Sequence, residues 1–318
     1  MFRRFLIGSA FTFLLLGAVA FYFLHATQPT LPVGPVVKME LGIGGYQRHF
    51  LVFTPTQVRE GASVLFVFHS SQSSAEEIRR VVGGVLERLA EQDNVIVVYP
   101  DGYEGHFNDC RREASYSART LNIDDVAFTK AMIDSLFAQR PINREKVYAI
   151  GYSNGGQMAL RLALEAPERV RGVASIAANL PAPDNMACKP AALPARFIGF
   201  VAGTQDPVNP YKGGQVTLFG FGNRGNVLSA RESAQWFANA LGLAAAEEQK
   251  QVLESASGLG AYRQDWISTD GHVRLLTIEG GGHTVPQADY LYPLIFGATF
   301  RSDSVLEETW RMLSSNTH

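Results

Sequence analysis

Eleven residues near the middle of the chain, Lys146-Val-Tyr-Ala-Ile-Gly-Tyr-Ser-Asn-Gly-Gly156, limit its fold more than any other stretch. Their first half is apolar, β-branched or aromatic at most positions and reads as a buried strand. Their second half holds Gly151-x-Ser153-x-Gly155, and the residues from Met158 to Leu164 are strong helix formers halted at Pro167. A strand must therefore become a helix within a few residues. Glycine suits both sides of the serine because a side chain in so tight a turn would strike the neighbouring strands. Such a turn leaves Ser153 at the mouth of a sheet, above a helix N-terminus whose free N–H groups favour negative charge. That is the setting of a nucleophile elbow.

The flanking sequence supplies the sheet. Apolar or alternating runs at 36–41, 49–53, 64–68, 95–99, 173–177, 197–201 and 273–278 read as strands. A Gly-Ile-Gly-Gly turn from Gly42 to Gly45 joins the first two. Helices fall between the strands. Ser74-x-x-Glu77 predicts a capping box for a helix with Ile78, Val81, Val82, Val85, Leu86 and Leu89 on one face. Asp124-Asp125 open another, with Phe128, Met132, Ile133, Leu136 and Phe137 apolar, and Asp101 reads as a turn residue. Ser229-x-x-Glu232 and Ser304-x-x-Glu307 predict two further capped helices, the first carrying Trp236 and Phe237, the second Leu306, Trp310 and Leu313. Residues 105–120 read as an irregular polar loop. Alternating strands and helices predict an α/β fold, a mostly parallel central sheet with helices on both faces.

Bulk composition narrows the class. Apolar residues make up 46% and charged ones 18%, enough for a large core and too few charges for a disordered chain. The 28 basic and 30 acidic residues nearly cancel, with no basic run, so nucleic acid is not an expected partner. Arg3-Arg4 precede an uncharged apolar run from Phe5 to Leu24, about 20 residues and long enough to cross a bilayer. Ala18-Val-Ala20 resembles a cleavage site, whereas Phe21-Tyr-Phe-Leu24 continues the apolar run as an uncleaved anchor would. Either reading exports the rest of the chain, as a membrane-anchored, secreted or periplasmic protein. The expected organisation is a signal anchor or signal peptide over 1–25, a Pro/Thr/Gly-rich linker over 26–35 and one domain over 36–318. Cys110 and Cys188 suit an exported protein with one disulfide, free buried thiols being the alternative.

A serine hydroxyl attacks only when a base takes its proton and a third group orients that base. In α/β hydrolases these follow in the order Ser, acid, His, each after a strand. Ser153, Asp206 and His283 meet that order. Asp206 follows the strand at 197–201 in Gly203-Thr-Gln-Asp-Pro, and His283 follows the strand at 273–278 on three glycines. Of the other histidines, His69 and His106 precede the serine and His49 meets an early strand. His272 begins a strand, while His25 and His318 lie at the chain's ends. Asp265, Asp270 and Asp289 compete with Asp206. An oxyanion needs N–H donors; Asn154, directly after the nucleophile, and Ser70 or Ser71, after the strand at 64–68, are the candidates.

Several stretches together resemble the extracellular polyhydroxybutyrate depolymerase and feruloyl esterase-like family of α/β hydrolases. They are Tyr99-Pro-Asp-Gly102, Asn108-Asp-Cys110, Ile123-Asp-Asp-Val126, Gly151-Tyr-Ser-Asn-Gly-Gly156, Gly203-Thr-Gln-Asp-Pro-Val-Asn-Pro-Tyr211 and Gly280-Gly-Gly-His-Thr-Val-Pro286. The resemblance implies an α/β-hydrolase fold, ester hydrolysis and Ser153, Asp206 and His283 as the triad. Two positions depart from it. His69-Ser70 stands where the family has His-Gly, and Val285 where it commonly has Trp, so a small soluble ester is the expected substrate rather than a solid polyester. His69, Asn108, Tyr152, Tyr211 and Val285 are candidate substrate contacts, with loop packing the alternative for Asn108 and Tyr211. Neither a Cys/His cluster nor a phosphate-binding glycine loop is present, so no metal or cofactor is expected. A serine peptidase on the same triad, or an envelope-bound binding protein with a weakened oxyanion hole, are the competing functions.

Overall fold

The computed structural model describes residues 24–26, 32, 34–245 and 249–315. The apolar run that ends at Leu24 and most of the 26–35 linker lie outside these residues, and with them the choice between anchor and cleaved signal. Among the described residues no helix is long and apolar enough to cross a membrane.

The chain enters its sheet at β1 (Val36–Ile43), which turns back into β2 (Tyr46–Phe53). The expected glycine turn tightens to Gly44-Gly45, both at positive φ (59° and 85°), a conformation that suits a two-residue hairpin. Then follow β3 (Ala62–Phe68), α1 (Ala75–Asp93), β4 (Val95–Pro100), the short α2 (Ser117–Thr120), α3 (Asp125–Gln139), β5 (Ile142–Tyr152), α4 (Asn154–Glu165), β6 (Gly172–Ile176) and β7 (Phe197–Gly203). A small ribbon of β8 (Gly214–Gln215) and β9 (Asn226–Val227) precedes α5 (Ala230–Ala240) and β10 (Ala244–Ala245). The chain ends through β11 (Gln249–Glu254), β12 (Gly260–Ile267), β13 (His272–Ile278) and α6 (Ser304–Ser314).

Strands β4, β3, β5, β6, β7 and β13 lie side by side in that order, all parallel. Antiparallel strands extend both edges, β2 and β1 beyond β4, β12 and β10 beyond β13. Strand β12 escapes a pattern reading because Arg263, Gln264 and Asp265 interrupt its apolar positions; partners on β13 and α6 neutralise Arg263 and Asp265. Helices α1 and α6 cover one face, with Leu86, Leu306 and Trp310 in its core. Helices α3, α4 and α5 cover the other through Phe128, Leu160 and Phe237. Each such side chain contributes about 1.5–3 kcal/mol by leaving water.

The caps are partly as expected. Ser229 and Glu232 form a reciprocal box on α5. On α1, Ser74 Oγ accepts from the Glu77 N–H (3.3 Å), and Asp101 reaches across to accept from the Ala75 N–H (2.7 Å). Ser304 does not cap α6. The N-cap position is Asp303, whose carboxylate instead accepts from the Ala288 N–H (3.1 Å), while the Ser304 hydroxyl accepts from that of Ser302 (3.0 Å). Asp124 caps α3 through the Ala127 N–H (2.8 Å). Asp125 is not a cap: it turns inward to Arg48 (2.6 Å) and accepts from the Asn108 N–H (2.7 Å).

The irregular polar loop at 105–120 has a buried heart. Phe107, Asn108, Asp109, Cys110 and Arg111 are all buried. Cys110 is bridged to Cys188 across a sequence separation of 78 residues, a closure worth roughly 4 kcal/mol in the chain-entropy account. The bridge holds this segment against the loop between β6 and β7, beside the elbow.

Candidate active site

The elbow forms at the carboxyl end of β5. Ser153 has φ 55° and ψ −115°, a left-handed conformation that costs a non-glycine residue about 1–3 kcal/mol. Hydrogen bonds on both sides hold it there, from its own N–H to Ile176 O (2.9 Å) and from the Gln157 N–H to its carbonyl (3.0 Å). The flanking glycines are required by close approach. A Cβ on Gly151 would collide with the Gly155 carbonyl, and one on Gly155 with the Phe68 carbonyl of β3. Any larger residue would push the serine off the sheet.

Two loops bring partners to it. The loop after β13 carries His283, whose Nε2 lies 2.9 Å from Ser153 Oγ. The loop after β7 carries Asp206, whose Oδ2 lies 2.8 Å from His283 Nδ1. A carboxylate only accepts, so Nδ1 carries the proton and Nε2 presents its lone pair to the serine hydroxyl. Asp206 Oδ1 is occupied separately by the N–H groups of Val208 and Asn209 (both 2.8 Å), which leaves Oδ2 for the ring. The His283 backbone is fixed as well, its N–H donating to Phe296 O (2.6 Å) and its carbonyl accepting from the Tyr152 hydroxyl (2.7 Å). The ring and the carboxylate are nearly inaccessible, with 5% and 2% side-chain exposure, so water does not compete for the bond between them.

Asn154, first in α4, has its side chain committed to the buried loop. Its Oδ1 accepts from the Phe107 N–H (2.8 Å), and its Nδ2 donates to Phe107 O (2.9 Å) and Asp109 Oδ2 (2.7 Å). Its backbone N–H belongs to the first turn, which has no intrahelical acceptor. Asp109 also takes Arg111 (2.6 Å) and the Tyr116 hydroxyl. Burial raises the Asp109 carboxyl's pKa, but the charge and hydrogen bonds of Arg111, with Tyr116, outweigh it and hold it below the ordinary value. Asp109, Arg111 and Tyr116 were not foreseen as site residues. Their stretch carries a family motif, but nothing in its spacing says that it folds under the elbow.

A cleft of about 380 Å³ opens over Ser153 and His283. Ser70 and Ser71 line it, as do the aromatic rings of Tyr152, Tyr290, Tyr292 and Phe296, with Tyr152 and Tyr292 in ring contact (5.9 Å). A niche of about 10 Å³, room for one water-sized group, shares Ser71, Ser153, Val208, Arg224 and His283 with the cleft and is further bordered by Gln157, Ala178 and Arg111. Ser71 borders both spaces, Ser70 only the cleft.

Of the five substrate contacts expected, Tyr152 alone lies on either lining. His69 is wholly buried. Its Nδ1 donates to Ser70 O (2.7 Å), its Nε2 accepts from the Gly102 N–H (2.9 Å), and burial brings its pKa down to about 4, so it is a neutral brace for the loop. Asn108 donates to Ile123 O (2.8 Å) inside the buried loop, and the Tyr211 hydroxyl pairs with Thr277 (2.9 Å). Val285 is core. Each of these four satisfies its neighbours rather than facing the cleft.

This fold and this arrangement of side chains define an α/β hydrolase, and comparison with known proteins agrees. The family profile described as the alpha/beta hydrolase fold matches residues 111–234. The chain is 32% identical over 262 residues to the "Putative esterase NocK" of Nocardia uniformis subsp. tsuyamanensis, covering 78% of this chain and 73% of that protein. It is 26% identical over 226 residues to "Feruloyl esterase B" of Piromyces equi, covering 70% of this chain and 40% of that enzyme. Among solved structures, the acetyl xylan esterase from Aspergillus awamori shares the fold, with a TM-score of 0.51 at 13% identity over 82% of this chain and 95% of that one. The chain belongs to the α/β-hydrolase family, and the relatives it resembles in sequence are esterases by name.

Proposed function

We propose that the protein is a serine carboxylic-ester hydrolase in which Ser153, His283 and Asp206 form the triad. The observation that carries this is the continuous hydrogen-bonded line from Asp206 through His283 to Ser153 at the floor of a cleft. As substrate enters, His283 Nε2 takes the serine proton while Oγ attacks the ester carbonyl. Asp206 holds the ring in the tautomer that makes this possible and stabilises the imidazolium. The oxyanion is held by the backbone N–H of Asn154 and one from the β3 loop, for which Ser71 is the better candidate because it borders both the cleft and the niche. His283 then protonates the leaving alcohol, and water attacks the acyl-enzyme with His283 again as base.

The narrow niche and the wide, aromatic-walled cleft suit an ester with one small and one larger substituent, a soluble or oligomeric ester of the kind the polyhydroxybutyrate depolymerase and feruloyl esterase resemblance suggests. The disulfide fits a compartment outside the reducing cytoplasm, and so does the apolar N-terminal run, which would hold an uncleaved chain at the membrane. Ser153→Ala in the full-length chain should abolish covalent labelling by a fluorophosphonate and lower kcat on short acyl esters by about 10⁴-fold or more. Undiminished turnover would remove the assignment.

A further inference from the structure

One cation beside the nucleophile has no carboxylate to answer it. Arg224 borders both the cleft and the niche, next to Ser153 and His283. Its backbone is pinned, the N–H donating to Val216 O (3.0 Å) and the carbonyl accepting from Asn185 Nδ2 (2.9 Å). Gly225 follows at φ 75°, where any Cβ would run into the Asn185 amide. The loop is therefore built to hold this residue's backbone in place. Yet among the described residues the guanidinium forms no hydrogen bond or ion pair. The nearby acids are already engaged, Asp109 by Arg111, Tyr116 and Asn154, and Asp206 by His283. Elsewhere in the cleft lining, Glu77 and Arg80 have opposite signs. Among the described residues, Arg224 is thus a lining cation with no hydrogen-bonded acid, in pockets that also hold Ser153 and His283.

Resting on the ester-hydrolase reading above, we infer that Arg224 recognises a carboxylate on the substrate, so that the preferred esters bear a single negative charge near the scissile bond. A planar guanidinium matches a carboxylate with two parallel N–H donors. One guanidinium neutralises a monoanion, whereas a dianionic phosphate would leave it a charge uncompensated. Half-burial and the repulsion of Arg111 also press the Arg224 guanidinium below the ordinary arginine pKa, and a bound anion relieves both.

The test compares matched esters on the full-length protein. One pair places the charge on the acyl side, 4-nitrophenyl hemisuccinate against 4-nitrophenyl butyrate. The other places it on the alcohol side, acetoxyacetate against 2-methoxyethyl acetate, followed by pH-stat. In Arg224→Gln the charged-to-neutral ratio of kcat/KM should fall by about 10- to 100-fold in at least one pair. Arg224→Lys, which keeps the charge without the fork, should fall between. Using a ratio from one preparation cancels any loss of folded enzyme. A ratio unchanged within about twofold in both pairs, with neutral esters still turned over and Ser153 still labelled, overturns the role of Arg224 and leaves the hydrolase standing. If the wild-type protein hydrolyses neither member of either pair and Ser153 resists fluorophosphonate, the hydrolase reading falls, and this one with it.

Discussion

Strand β13 begins with one histidine and the loop after it carries another, and each is bonded to an aspartate. Past the carboxyl end, His283 meets Asp206 at 2.8 Å; at the amino end, His272 meets Asp265 at 2.7 Å. The distances alone do not separate them. The surroundings do. Asp206 answers to one ring and two backbone N–H groups, and the far nitrogen of that ring points at a hydroxyl in a cleft. Asp265 is shared between His272, Arg274 (2.6 Å) and Arg263 (3.0 Å), in a cluster completed by Glu308 of α6. A base must be held by one acid and left free at its other nitrogen; a structural pair is consumed by its neighbours.

The largest effect should therefore separate the two acids. Asp206→Asn should cut kcat on a short ester by about 10⁴-fold, because the amide favours the wrong histidine tautomer. Asp265→Asn should leave turnover per folded molecule within about twofold. Equal losses in both variants would break the contrast. Next in size is stability. Asp265→Asn removes charged hydrogen bonds that tie β12 to β13, and should lower unfolding stability by about 1–3 kcal/mol in a urea titration.

That loss should depend on pH. Burial raises the Asp265 carboxyl's pKa, but its bonds to His272 and Arg274 outweigh this and leave it lower than in the unfolded chain. A depressed carboxyl contributes stability that is complete above its ordinary value of about 4 and fades as pH falls through the lowered one. The difference between wild type and Asp265→Asn should hence be steady near neutrality and shrink only in acid. A gap that widened toward low pH would contradict it. The smallest effect concerns Tyr152, whose hydroxyl bonds the His283 carbonyl (2.7 Å). Tyr152→Phe should cost about 1 kcal/mol and lower kcat several-fold by loosening the loop, while the His272–Asp265 pair stays intact. A full rate in that variant would show that the bond to Phe296 O fixes the loop unaided.

Much of this was legible from the chain. The elbow, the order of serine, aspartate and histidine, and the parallel strands were readable because each rests on local spacing: a strand's apolar run, a turn's glycines, a loop residue just past a strand's end. Where local sequence carried two meanings, the reading failed. Ser304 has the spacing of a cap, but Asp303 occupies the position and a neighbouring loop claims its carboxylate. Asp124 and Asp125 look alike, yet only one meets Arg48. Residues 105–120 are irregular and polar as read, yet Phe107 to Arg111 within them are buried, because their polar groups satisfy one another and the elbow's Asn154.

By itself, then, the sequence picked out Ser153, Asp206 and His283 as the candidates for nucleophile, acid and base, since backbone geometry and side-chain chemistry at those positions admit few alternatives. Only the tertiary structure decided that Asp206, His283 and Ser153 meet in one hydrogen-bonded line, that His69, Asn108, Tyr211 and Val285 pack away from the cleft, and that the Arg224 guanidinium borders it with no acid partner among the described residues. These are questions of which charges and hydrogen-bond donors meet across long stretches of chain, and no short-range pattern encodes them.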